Sequence, residues 1–81
     1  MQTEQTDRRP YQSQNGNSGV SFYALDPLSI NVWFRDGRGY VYDSRKPGKL
    51  HLDEMKRFAE EGRGLATYIN QNVRTNYARK L

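Results

Sequence analysis

The residues of this chain that could do chemistry are few. Its 81 residues include one histidine, His51, and no cysteine. That composition removes disulfides, thiolate metal sites and a thiol nucleophile. His51 has only Asp53 and Glu54 near it in sequence, at a spacing that closes no metal site. The acid pairs Asp53-Glu54 and Glu60-Glu61 are adjacent residues. Adjacent residues on a helix point in different directions and do not converge on one substrate atom. Ser29 and Ser44 have no partnering base, and Gly37-Arg38-Gly39 lacks the Lys-Ser/Thr of a phosphate-binding loop. The expectation is a protein that is not an enzyme and uses no metal or cofactor.

The informative side chains are aromatic and basic. Trp33, Tyr40 and Tyr42 lie close together with Arg35 and Arg38. Stacking of a nucleobase on such a ring contributes about 1–3 kcal/mol, whatever the base. The chain carries a formal charge of +4. In residues 1–20, Arg8 and Arg9 offset Glu4 and Asp7, so the excess falls in the remainder. After Glu61 come Arg63, Arg74, Arg79 and Lys80 with no acid among them. A basic balance of this kind favours an anionic partner. The candidate binding residues are Trp33, Arg35, Arg38, Tyr40, Tyr42, Arg45, Lys46, Lys49 and Arg74, and the expected partner is RNA or another single-stranded nucleic acid. The competing reading is a protein-interaction module, such as a phage-type inhibitor of a host nucleic-acid enzyme or a homodimerising domain. A monomer is the default.

These side chains need a scaffold, and the hydrophobic period supplies one. Residues 1–19 are polar throughout and read as a disordered tail, with Arg8, Arg9 and Tyr11 as candidates if it acts as an arm. Its deletion is expected to leave the melting temperature nearly unchanged. The domain spans 20–81. VSFYAL reads as a first strand that Asp26-Pro27 breaks. LSINVWFR then alternates, with Leu28, Ile30, Val32 and Phe34 on one face and Ser29, Asn31, Trp33 and Arg35 on the other. Asp36-Gly37 signals a hairpin, and YVYDS returns. An even hairpin loop places Trp33, Tyr40 and Tyr42 together on the face away from the core. An odd loop turns both tyrosines into the core, because one residue of slip reverses every side chain.

Beyond the basic turn Arg45-Lys46-Pro47-Gly48-Lys49 the period becomes helical. A first helix is predicted over about 51–61, carrying Leu52, Met55 and Phe58 or Ala59 on one stripe and closed by Gly62. A second, over about 64–78, carries Leu65, Tyr68, Ile69, Val73 and Tyr77. The expected fold is α+β, a small antiparallel meander of about three strands followed by two helices on one face. The predicted core is Val32, Phe34, Phe58, Leu65, Ile69 and Val73, with Leu28, Ile30 and Met55 at its margin. No stretch has the roughly 18 apolar residues of a membrane span. The N-terminal segment lacks the apolar run of a signal peptide, so a cytoplasmic protein is expected.

The order Val32-Trp33-Phe34, Gly37, Tyr40-Val41-Tyr42, Pro47, Gly62, Tyr68-Ile69-Asn70 and Tyr77 resembles the KTSC domain. This is a short module at the C-terminus of some lysyl-tRNA synthetases, also found as stand-alone prokaryotic and phage proteins. The likeness runs from about Phe22 to Tyr77, nearly the whole of the expected ordered body. It implies a small domain with a central Tyr-x-Tyr, here Tyr40 and Tyr42, for which RNA binding has been suggested. The polar tail and the Arg45-Lys46 insertion depart from the family pattern.

Overall fold

The alternation that follows Pro27 forms the central strand of an antiparallel sheet. The computed structural model describes residues 8–11 and 19–81. The elements are β1 (Arg9–Pro10), β2 (Val20–Asp26), β3 (Ser29–Phe34), β4 (Gly39–Asp43), α1 (Lys49–Glu61), α2 (Leu65–Tyr68), a π-helical turn (Ile69–Val73) continuing α2, and β5 (Arg79–Lys80). The five strands lie side by side in chain order, β1-β2-β3-β4-β5, and every pairing is antiparallel. The fold is thus α+β, an antiparallel meander with the helices packed on one face.

Two loops set which residues face the helices. Asp26 pairs with Ser29, so Pro27 and Leu28 form the turn between β2 and β3. Leu28, expected at the core margin, is therefore 67% exposed. In the next hairpin the Phe34 N–H donates to the Arg38 carbonyl at 2.8 Å, leaving Arg35, Asp36 and Gly37 as the loop. Gly37 adopts φ 93°, a conformation that disfavours a side chain. The loop is odd, so Tyr40 pairs with Val32 and Tyr42 with Ile30. Both tyrosines consequently point toward the helices.

The core joins Val20, Tyr23, Ile30, Val32 and Tyr42 of the sheet to Leu52, Met55, Ala59, Leu65, Ile69 and Val73 of the helices. Val32, Leu65, Ile69 and Val73 sit there as predicted. Ile30 and Met55 are fully buried at its centre and not at its margin, while Phe34 and Phe58 are half-buried and pack around it. Gly62 ends α1 in the left-handed conformation, and its N–H donates to the carbonyls of Phe58 and Ala59.

The second helical segment is shorter than the predicted 64–78. Its last helical element ends at Val73, Arg74 keeps helical backbone angles, and the chain then turns back to the sheet. There the Ala78 N–H donates to the Val41 carbonyl at 2.7 Å and the Leu81 N–H to the Gly39 carbonyl at 2.8 Å. These bonds satisfy the backbone edge that β4 would otherwise expose. Tyr77, read as a helix-stripe residue, instead packs against Tyr40 with ring centroids 4.6 Å apart and the planes tilted by 39°.

Part of the expected tail is also placed on the sheet. Arg9 pairs with Tyr23 and Pro10 with Phe22. Tyr11 is only 8% exposed and joins the core cluster. The rest of that segment, 1–7 and 12–18, lies outside the described residues. Among the described residues, no helix is long and apolar enough to cross a membrane.

Candidate functional site

The helices cover one face of the sheet, and register assigns the side chains of the other. Phe22 stands opposite Trp33, Trp33 opposite Gly39, Asn31 opposite Val41, and Val41 opposite Arg79. Phe22 reaches this face through a bulge: Val20 pairs with Phe34 but Phe22 with Trp33, which leaves Ser21 as the extra residue. The Ser21 hydroxyl donates to the Trp33 carbonyl at 3.3 Å. The bulge lets Val20 enter the core while Phe22 comes beside Trp33.

Gly39 supplies the floor beneath the indole. A Cβ at that position would lie 2.8 Å from Trp33 Cδ1 and 3.2 Å from Leu81 Cβ. Trp33 therefore lies across a strand position that only glycine leaves open. Above, the Arg8 guanidinium sits 4.3 Å from the Phe22 ring centroid and 5.1 Å from that of Trp33. Such cation–π contacts contribute only about 0.5–1 kcal/mol at exposed sites. Phe22, Trp33 and Arg8 thus form an aromatic platform with a cation over it.

Positive charge is arranged unevenly around this platform. Arg57 bonds Glu54 and lies 3.5 Å from Glu61, and Lys49 pairs with Asp53 at 2.7 Å. Asp53, Glu54 and Glu61 of α1 are thus engaged locally. Among the described residues, Arg45, Lys46, Arg74, Arg79 and Lys80 have no carboxylate within ion-pair distance. Arg79 is on the open face by register, opposite Val41. Arg45 and Arg79 line a hollow of about 410 Å³ together with Asn31 and Val41, and the acidic residues Asp26 and Asp43 also line it.

The sequence-predicted site residues divide into groups. Trp33 is half-buried on the open face, with Arg45 and Arg79 near its far end. Tyr40 and Tyr42 are corrected as platform residues, because the odd hairpin loop turns them to the helix side, where Tyr42 is 1% exposed. Burial pushes the Tyr42 hydroxyl up to about 12, with Tyr40 and Tyr77 adding to the effect. Arg38 and Arg74 line a cleft on that same side with both tyrosines. Arg38 is held by the Asp36 carboxylate at 2.8 Å, and these hydrogen bonds hold the Asp36 carboxyl below its usual range. Arg35 is exposed in the hairpin loop, and Lys46 and Lys49 are exposed around the turn before α1. His51, half-buried early in α1, has its Nδ1 2.6 Å from the Tyr68 hydroxyl.

Phe22 and Arg79 are outside the predicted site, and Arg8 is expected only as a candidate of a tail acting as an arm. Phe22 adjoins Tyr23, and two neighbouring aromatics leave a strand's faces ambiguous until the bulge is known. Arg8 belongs to a segment without periodicity, and Arg79 follows a stretch that reads as helix.

Comparison with protein-family models, with curated protein sequences and with solved structures finds no match. The likeness to the KTSC domain stays an expectation of the sequence.

Proposed function

We propose that this protein is a non-enzymatic module that binds single-stranded nucleic acid, with a preference for RNA, on the helix-free face of its sheet. One or two bases stack on Trp33 and Phe22, and Arg8, Arg79 and Arg45 meet the phosphates. The observation that carries the reading is the cross-strand Phe22–Trp33 pair with the Arg8 guanidinium over both rings. An open sheet presenting neighbouring aromatics flanked by arginines suits unstacked bases, since every base has a π-face and every linker a charge. Asn31 on the same face offers an amide able to meet a ribose 2′-hydroxyl, which favours RNA over DNA. A cytoplasmic setting suits such a partner.

Trp33 is the only tryptophan of the chain, so its emission reports on this surface alone. Titration with short oligouridine should quench it saturably. Three phosphate contacts imply that log K falls with log salt at a slope of about −2 for a single strand. Binding that ignores salt, or emission that no oligonucleotide changes at low salt, would contradict the proposal. In the second case the same apolar surface, extended by the 53%-exposed Leu81, would suit a protein partner better.

A further inference from the structure

We propose a second ligand site on the opposite side of the sheet, for a nucleoside monophosphate, either free or as the 5′-phosphorylated end of a strand. A cleft of about 400 Å³ opens where β4 and β5 meet the π-helical turn. Phe34, Tyr40 and Tyr77 bring aromatic rings to it, and Arg38, Arg74 and Lys80 bring positive charge. Among the described residues, no carboxylate lines it. It is at the small end of ligand pockets, which run from about 300 to 1,000 Å³, and so suits a single nucleotide and not a longer segment.

The charges point to an anion. Arg38 is already engaged by Asp36, but Arg74 and Lys80 have no carboxylate partner among the described residues. Two cations facing one small cleft repel each other, and a phosphate between them relieves that repulsion while accepting charge-assisted hydrogen bonds. The aromatic walls point to a planar group beside the anion. Phe34 meets Tyr40 edge-on at 5.9 Å, and Tyr40 packs against Tyr77 at 4.6 Å with the planes tilted by 39°, so three rings in mutual contact border the cleft. Asn70 also lines the cleft and has an amide that can pair with a base edge. The backbone gives an independent sign. Asn70 lies in the π-helical turn and Arg74 follows it directly. Such turns are uncommon and are frequently found at functional sites.

This site does not depend on the platform proposed above, and the two can be read separately. Trp33 is on the other face of the sheet, so cleft binding should leave its emission unchanged. The experiment is a titration of the full chain with uridine and adenosine 5′-monophosphates, followed by backbone and tyrosine-ring NMR shifts. Saturable shifts are expected at Asn70, Arg74, Tyr77 and Lys80, with inorganic phosphate and unphosphorylated nucleosides each binding more weakly. An oligonucleotide with a 5′-phosphate that binds the same residues more tightly than the monophosphate identifies the strand end as ligand. Equal binding identifies the free nucleotide. The double substitution Arg74→Ala/Lys80→Ala removes two exposed side chains, so the fold and the melting temperature should be kept while affinity falls about tenfold or more. The proposal is overturned if no saturable shift appears at these residues by about 10 mM monophosphate. It is equally overturned if the folded double variant binds as tightly as the parent.

Discussion

Tyr11 should anchor a segment that, by composition, belongs to a disordered tail. Its ring is 8% exposed and meets Tyr23 edge-on at 6.4 Å. Its N–H donates to the Ser21 carbonyl at 2.9 Å. Its hydroxyl accepts the Leu65 N–H at 3.2 Å. That last bond matters because α2 begins after Gly64 and has no side-chain cap of its own. Tyr11 thus satisfies one of the N–H groups that a helix start leaves without a partner. Truncating a buried aromatic to alanine costs about 3–5 kcal/mol, and the low end applies at the border of a small core. At about 4–8 °C per kcal/mol for a domain of this size, Tyr11→Ala should lower the melting temperature by roughly 12–24 °C. Tyr11→Phe isolates the hydrogen bond, at about 1 kcal/mol and a correspondingly smaller drop. Deleting residues 1–19 should destabilise the domain as Tyr11→Ala does, contrary to what the polar composition suggests. Thermal melts followed by circular dichroism check all three. A deletion variant and a Tyr11→Ala variant that both melt within about 2 °C of the full chain would refute the docking of Arg8–Tyr11.

Two further perturbations test the register. Gly39→Ala puts a methyl group against the indole at 2.8 Å, so Trp33 must move; the overpacking should cost about 1–3 kcal/mol and shift tryptophan emission to the red, and an unchanged spectrum would contradict the placement. Burial pushes the Tyr42 hydroxyl up to about 12 in the folded state, against about 10 when unfolded. The folded pKa is the higher one, so the associated stability is complete below about pH 10 and is lost as pH rises toward 12, at up to about 1.4 kcal/mol per unit. Denaturant melts across that window should show the loss, and Tyr42→Phe should remove this part of it. An identical pH dependence in Tyr42→Phe would mean that Tyr42 is solvent-exposed.

Much of the scaffold is legible in the residues. The alternation around Ile30, Val32 and Trp33 carries β3 and predicts that Trp33 faces away from the helices. The stripe Leu52, Met55 and Ala59 carries α1, and Gly62 marks its end. The hairpin register is less legible because Asp36-Gly37 followed by Gly39 is compatible with loops of either parity, and parity alone decides whether Tyr40 and Tyr42 face the core. The two edge strands are hidden for a different reason. Arg9–Pro10 and Arg79–Lys80 are each two residues long, too short to show any period. Their placement comes from long-range contacts: Tyr11 against Tyr23 and Leu65, and Tyr77 against Tyr40. The site inherits this limit, since Arg8 and Arg79 are brought to the open face by those same edge strands.

The central claim is that single-stranded nucleic acid binds on the helix-free face. Amide chemical-shift mapping of the full chain with a short 5′-hydroxyl oligouridine tests it most directly, because the absent terminal phosphate leaves the cleft on the helix side out of the comparison. The account predicts that the perturbed amides cluster at Phe22, Ala24, Asn31, Trp33, Val41 and Arg79, and that the cluster vanishes in a folded Trp33→Ala variant. Shifts confined to α1 and α2, or a Trp33→Ala variant that binds as the parent does, would contradict it.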